Sequence, residues 1–320
     1  VLTAILLVSV FLVAFTNGAN ANSKGVASLY GSGTTSCRTA LYWGTAATFA
    51  GSIAALFLSS ALTKRFSGRG MVPEELVQSP IFVSSVALGA AMTSFLATRF
   101  GFPVSTTHAL VGALLGAGLA GSGTEVQIRA LGTHFLYPLF FSPLVAVIFG
   151  AIAYWMLRNI GLATDHRNRY LDALHFLSTG AASFARGLND TPKMAALLLV
   201  APIVDIRWGF FAVAVSMALG GLLDAERVAE TLGKKITEMN PGQGFAASLV
   251  TAGLVATASL HSLPVSTTHV SVGSLLGMGA STGQAKWRKV AEIFFAWIST
   301  VPCGAILAAV SYSVIDKLFG

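Results

Sequence analysis

Charge is what this sequence has least of. Of its 320 residues, 13 are Asp or Glu and 20 are Lys or Arg, 10% together, against 54% hydrophobic. A soluble domain carries about 25% charged residues, so a water-facing shell around a single core is excluded. Cysteine is scarce as well. Cys37 and Cys303 are too few for a disulfide framework and lack the paired spacing of a zinc site, which leaves them as small packing residues. No acidic or His-rich cluster at metal-ligand spacing occurs, so neither a transition-metal centre nor a metal-dependent hydrolase is indicated. No polybasic run stands out either. The formal net charge of +7 is spread over hydrophilic breaks at Lys64, Arg65 and Arg69, at 158–169, at Lys234 and Lys235, and at 286–289. That distribution fits cytoplasmic loops of a membrane protein and not a nucleic-acid partner.

What the sequence has in abundance is apolar runs. Stretches at 1–15, 43–62, 81–97, 135–157, 210–223, 245–260 and 290–314 approach the length that spans about 30 Å of hydrocarbon. Roughly eight to ten spanning or re-entrant segments follow from them. Many are interrupted by Gly, Ser and Thr, which suits close helix packing and broken helices. The expected fold class is all-α: a polytopic protein of the cell (inner) membrane. The run 1–15 followed by Ala19-Asn20-Ala21 imitates a secretory leader with its cleavage site. It is read as a membrane segment, because the motif around Asn20 returns deep inside the chain.

That return is part of a long internal repeat. Pro103-Val-Ser-Thr-Thr-His108 recurs letter for letter as Pro264-Val-Ser-Thr-Thr-His269. Downstream, Val111, Gly112, Leu114, Leu115, Gly116 and Gly118 match Val272, Gly273, Leu275, Leu276, Gly277 and Gly279. Upstream, Gly18-Ala-Asn20-Ala-Asn-Ser-Lys24 matches Gly187-Leu-Asn189-Asp-Thr-Pro-Lys193 as Gly-x-Asn-x-x-x-Lys. The chain therefore divides into halves at 1–158 and 173–320, with a polar linker at 159–172. Two like halves around a shared centre, with the site at the midplane where interrupted helices meet, is a common plan of secondary transporters, and a plain receptor or anchor has no need of it.

The repeated motif has chemistry suited to anions. Pro ends the incoming element and Ser or Thr caps a new helix, which then starts within the membrane. Its free N–H groups and positive end, with the hydroxyls of Ser105, Thr106 and Thr107 or Ser266, Thr267 and Thr268, make donors for an oxyanion. Polar groups beside apolar segments are costly and so are functional candidates: Asn20, Asn22, Asn189 and Asp190, with Lys24, Arg186 and Lys193 as supporting charge. The basic side chains are long enough to reach lipid headgroups instead. Asp190 is too short for that, and its carboxylate suits Na⁺ or a proton. His108 and His269 read as packing or supporting residues.

These motifs closely resemble those of the inorganic phosphate transporter (PiT) family, whose signature pairs Gly-x-Asn-Asp with a later Pro-x-Ser-Thr-Thr-His, twice. The resemblance covers nearly the whole chain. It implies a homodimeric membrane transporter of inverted repeats that moves phosphate with Na⁺ or H⁺ and uses no other cofactor. Carried over, Asn20, Asn189, Ser105, Thr106, Thr107, Ser266, Thr267 and Thr268 would surround substrate, with Asp190, Asn20 and Asn189 at the coupling ion. One position departs: Ala21 stands where the family has Asp. Sulfate has no proton to donate at neutral pH and needs only donors, so a sulfate permease of the same family is the alternative. An anion channel would share the donors but has no use for a coupling carboxylate such as Asp190. An enzyme acting on phosphoesters would need a nucleophile beside its base, and none is seen.

Overall fold

The computed structural model describes residues 1–162, 169–200 and 205–320. The described residues contain ten long helices: α1 (Leu2–Ala21), α2 (Cys37–Leu58), α3 (Pro80–Arg99), α4 (Thr106–Ser122), α5 (Tyr137–Asn159), α6 (Arg169–Ala195), α7 (Ile206–Leu223), α8 (Pro241–Leu260), α9 (Thr267–Thr282) and α10 (Trp287–Phe319). Short helical turns join them, among them Asn22–Gly25 and Ala27–Gly31 after α1. The chain is all-α, as the apolar runs indicated. Part of the expected linker, 163–168, lies outside the described residues.

Local chemistry sets several helix starts. Ser36 caps α2 by accepting from the Thr39 amide, Ser79 caps α3 ahead of Pro80, and Asn240 and Gln243 close a capping box on α8 behind Pro241. These caps move boundaries away from the hydrophobic runs. The second span occupies Cys37–Leu58 and not 43–62, because the cap at Ser36 recruits a polar first turn. The first continues well past residue 15 to Ala21, which places Asn17 and Asn20 inside a helix.

Among the described residues, seven segments are long and apolar enough to cross a membrane: Leu2–Gly25, Cys37–Leu58, Pro80–Arg99, Tyr137–Asn159, Ile206–Leu223, Pro241–Leu260 and Trp287–Phe319. The outer surface of these helices is apolar, with Phe57, Phe140, Phe295 and Ile306 exposed, while Asn17, Asn20, Asn189, Asp190, Arg186 and Lys193 are buried. This inside-out arrangement is stable only in lipid.

Helix pairing repeats along the chain. α1 packs on α3 as α6 packs on α8, within each half. α1 also packs on α7 as α6 packs on α2, and α4 packs on α10 as α9 packs on α5, across the halves. The repeated glycines make these crossings possible. A Cβ at Gly18 would run into the Met217 carbonyl on α7, and one at Gly187 into the Thr48 carbonyl on α2. Gly116 meets the Ala305 carbonyl of α10 and Gly277 the Val147 carbonyl of α5 in the same way. Small residues thus let backbones touch where lipid offers no hydrophobic drive for association.

Candidate functional site

The two Pro-Val-Ser-Thr-Thr-His segments meet at the centre of the molecule. Each leads from extended backbone into a helix capped by its serine: Ser105 accepts from the His108 amide and Ser266 from the His269 amide, both at 3.2 Å. The segments are tied to one another reciprocally. Thr268 donates to the Val104 carbonyl at 2.7 Å, and Thr107 donates to the Val265 carbonyl at 3.4 Å. The starts of α4 and α9 are thereby held together, with Thr106, Thr107, Thr267 and Thr268 all buried.

The asparagines and lysines of the other motif clamp this assembly. Asn20 donates to Thr98 at 3.0 Å and to the Phe102 carbonyl at 2.9 Å, and accepts from the Val104 amide at 3.0 Å. Its amide therefore fixes the approach to α4. Asn189 donates to Ser259 at 3.1 Å and accepts a short hydrogen bond from Lys193. Lys24 donates to the Val104 carbonyl at 2.8 Å and Lys193 to the Val265 carbonyl at 3.1 Å. Neither lysine nor Arg186 reaches a headgroup; all three are at most 4% exposed.

Asp190 is the only carboxylate brought into this cluster among the described residues. Lys193 Nζ lies 2.9 Å from its Oδ1, Arg186 Nε is 3.6 Å from its Oδ2, and Asn17 and Thr267 donate to Oδ2 at 3.3 and 3.5 Å. Lys24 is within electrostatic reach of the same carboxylate. Three cations against one carboxylate leave a surplus of two positive charges in a dry interior. An uncompensated buried charge costs several kcal/mol. Arg186 Nε is moreover a buried donor with no hydrogen-bond partner among the described residues. Surplus charge, a free guanidinium donor and two helix N-termini together suit a divalent oxyanion.

One member of the cluster escaped the sequence reading. Asn17 donates to Thr106 at 2.9 Å and to Asp190, and accepts from Arg186 Nη2 at 2.8 Å, so it links three site residues. A signal was available, because the offset that aligns Asn20 with Asn189 also aligns Asn17 with Arg186. The repeat has a polar residue there in both halves, of different type. His108 and His269 stack with ring centroids 4.7 Å apart, and His269 also stacks on Trp297 at 4.0 Å. They pack immediately behind the two helix starts.

The sequence profile of the phosphate transporter family matches residues 17–170 and 163–308. The chain belongs to the phosphate transporter family. Its similarity to individual members runs end to end. It is 26% identical over 332 residues to a probable low-affinity inorganic phosphate transporter of Bacillus subtilis, covering 100% of this chain and 98% of the other. A Rhizobium meliloti protein of the same description is 28% identical over 318 residues, covering 94% and 93%. A solved structure titled "The sodium-dependent phosphate transporter" superposes with a TM-score of 0.85 over 99% of this chain and 100% of the other, at 21% identity. That likeness establishes a shared fold. This phosphate transporter family member is a multi-pass membrane protein, and it is a transporter and not an enzyme.

Proposed function

We propose that this protein carries inorganic phosphate across the cell (inner) membrane together with Na⁺ or H⁺, as a homodimer whose halves are inverted repeats. The observation that carries the reading is the meeting of two Ser-Thr-Thr helix starts beside a buried cluster with two surplus positive charges. In this reading Thr106, Thr107, Thr267 and Thr268, with the amides of both helix starts, hold the oxygens of the anion. Ser105 and Ser266 shape those starts, while Asn20 and Asn189 keep the segments in register. Lys24, Arg186 and Lys193 neutralise the divalent charge, and Asp190 limits how tightly it is held.

The coupling role goes to Asp190. Its Oδ1 faces Lys193, so a Na⁺ ion binds there only when that ammonium swings away, and the arriving anion supplies the alternative partner that Lys193 needs. Substrate and cation thus bind in mutual support. The name of the structural neighbour favours Na⁺, and the exchanged helix packing of the halves favours the inverted-repeat plan. Sulfate is the alternative, on one observation: Ala21 ends α1 with no carboxylate to accept a hydrogen bond from protonated phosphate. Uptake of labelled phosphate and labelled sulfate by proteoliposomes, with Na⁺ and pH gradients imposed separately, tests the reading. Phosphate should accumulate above its external concentration under one gradient. Equilibration without accumulation would make the protein an anion channel, and accumulation of sulfate in preference would make it a sulfate permease.

A further inference from the structure

Away from the anion cluster lies a cavity that the transport reading leaves unused. It measures about 670 Å³ and is bounded by the end of α2, the start of α3, the start of α7 and the turn that follows α6, with Leu114 of α4 among its walls. Its lining divides by burial. Apart from Thr63 the buried members are apolar, among them Val83, Val86, Leu114, Leu197 and Phe210. The Thr63 hydroxyl is already donated to the Ser59 carbonyl at 3.1 Å. The polar members Lys64, Arg69 and Gln78 are exposed, with the half-buried Ser67 beside them. No carboxylate lines the cavity among the described residues.

The same division follows depth in the membrane. Leu56 belongs to the span Cys37–Leu58, Val83 and Val86 to Pro80–Arg99, and Phe210 to Ile206–Leu223. Lys64, Ser67, Arg69 and Gln78 lie in the connection between the first two of these spans. The apolar walls are thus level with lipid chains and the basic rim is level with headgroups. Leu199, also in the lining, is half exposed, so the walls continue onto the apolar outer surface. Arg69 pairs with Glu74 at 3.3 Å, whereas the Lys64 ammonium takes part in no ion pair among the described residues.

We infer that this cavity binds an anionic phospholipid, with its phosphate between Lys64 and Arg69 and an acyl chain among Leu56, Val86, Leu197 and Phe210. Two cations and no carboxylate at the rim select a headgroup with net negative charge, and basic pockets between transmembrane helices are where such headgroups are held. Inorganic phosphate shares the headgroup chemistry but not the fit. It needs donors around several oxygens, and the buried walls offer it none. The chain packs on Ala196 and Leu197, which directly follow the helix of Arg186, Asp190 and Lys193, and on Leu114 of α4. The lipid therefore braces two of the helices that build the anion cluster, whichever anion they carry. Its binding does not depend on the transport reading.

The test uses the full chain, purified in detergent and stripped of lipid. Retention of added phosphatidylglycerol or phosphatidylcholine is read by native mass spectrometry, and the thermal unfolding midpoint is read alongside. Wild type should retain one phosphatidylglycerol in preference to phosphatidylcholine and unfold at a higher temperature with it. Lys64→Gln and Arg69→Gln should each weaken retention about fivefold, the scale of one basic residue at an anionic lipid surface. Arg38→Gln, exposed at the opposite end of α2 from Leu56, should leave it unchanged. Val86→Trp, which fills the apolar part, should abolish retention; if that variant does not fold, the charge variants decide. Equal retention of the two lipids, or an equal loss in Arg38→Gln, overturns the site. A rise in midpoint given equally by inorganic phosphate, and lost in Lys64→Gln, would make the cavity a free-phosphate site and overturn the lipid assignment.

Discussion

Asp190 sits where two requirements oppose each other. Its carboxylate offsets Arg186 and Lys193, and removing it would leave three buried cations with no internal counter-charge. Asp190→Asn should therefore keep or strengthen equilibrium phosphate binding while abolishing accumulation driven by an ion gradient. Binding measured by titration calorimetry alongside gradient-driven uptake checks this, and a variant that still concentrates phosphate removes Asp190 from the coupling role. Ala21 poses the complementary case. It is fully buried at the end of α1, and a carboxylate there would repel a divalent anion unless a cation or the anion's own proton compensates. Phosphate can carry that proton and sulfate cannot. Ala21→Asp should raise the ratio of phosphate to sulfate uptake or make uptake more dependent on Na⁺. An unchanged ratio and unchanged Na⁺ dependence in a folded, active variant would make Ala21 neutral.

The helices bring these residues together through contacts that the sequence shows only in part. The apolar spans were legible because lipid demands long apolar runs, and the Pro-Val-Ser-Thr-Thr-His segments that meet at the centre were legible because they occur twice. Asn17 was not, since its partners Thr106, Asp190 and Arg186 come from other helices and its counterpart in the repeat is an arginine. The repeated glycines could be matched but not explained until the crossings were seen. Gly116→Ala and Gly277→Ala place a methyl group against a carbonyl of α10 and α5 respectively, and overpacking of this kind costs about 1–3 kcal/mol. Both should lower the thermal unfolding midpoint in detergent. Gly253→Ala on α8 meets open space, and alanine is the better helix former by roughly 1 kcal/mol, so its midpoint should hold or rise. Equal loss at all three positions would contradict the close-crossing explanation.

At the scale of the whole molecule, neither half completes itself. α4 finds its main partner in α10, and α9 in α5, so each half alone exposes a small-residue face and half of the buried polar cluster. Residues 1–162 and 169–320 expressed separately should aggregate in detergent, while their co-expression should yield a single species by size-exclusion chromatography. A monodisperse half would show that the exchanged packing is dispensable. On the proposed reading one anion site is shared by both halves, since Thr107 donates to the Val265 carbonyl and Thr268 to the Val104 carbonyl. This shared site is tested most directly by the phosphate concentration that half-saturates uptake in proteoliposomes containing wild type, Thr107→Val or Thr268→Val. Each substitution removes one buried hydroxyl, and each should weaken apparent affinity by about 1–3 kcal/mol, the cost of a buried hydrogen bond left unmade. Unchanged affinity in either variant would contradict a single site built from both halves.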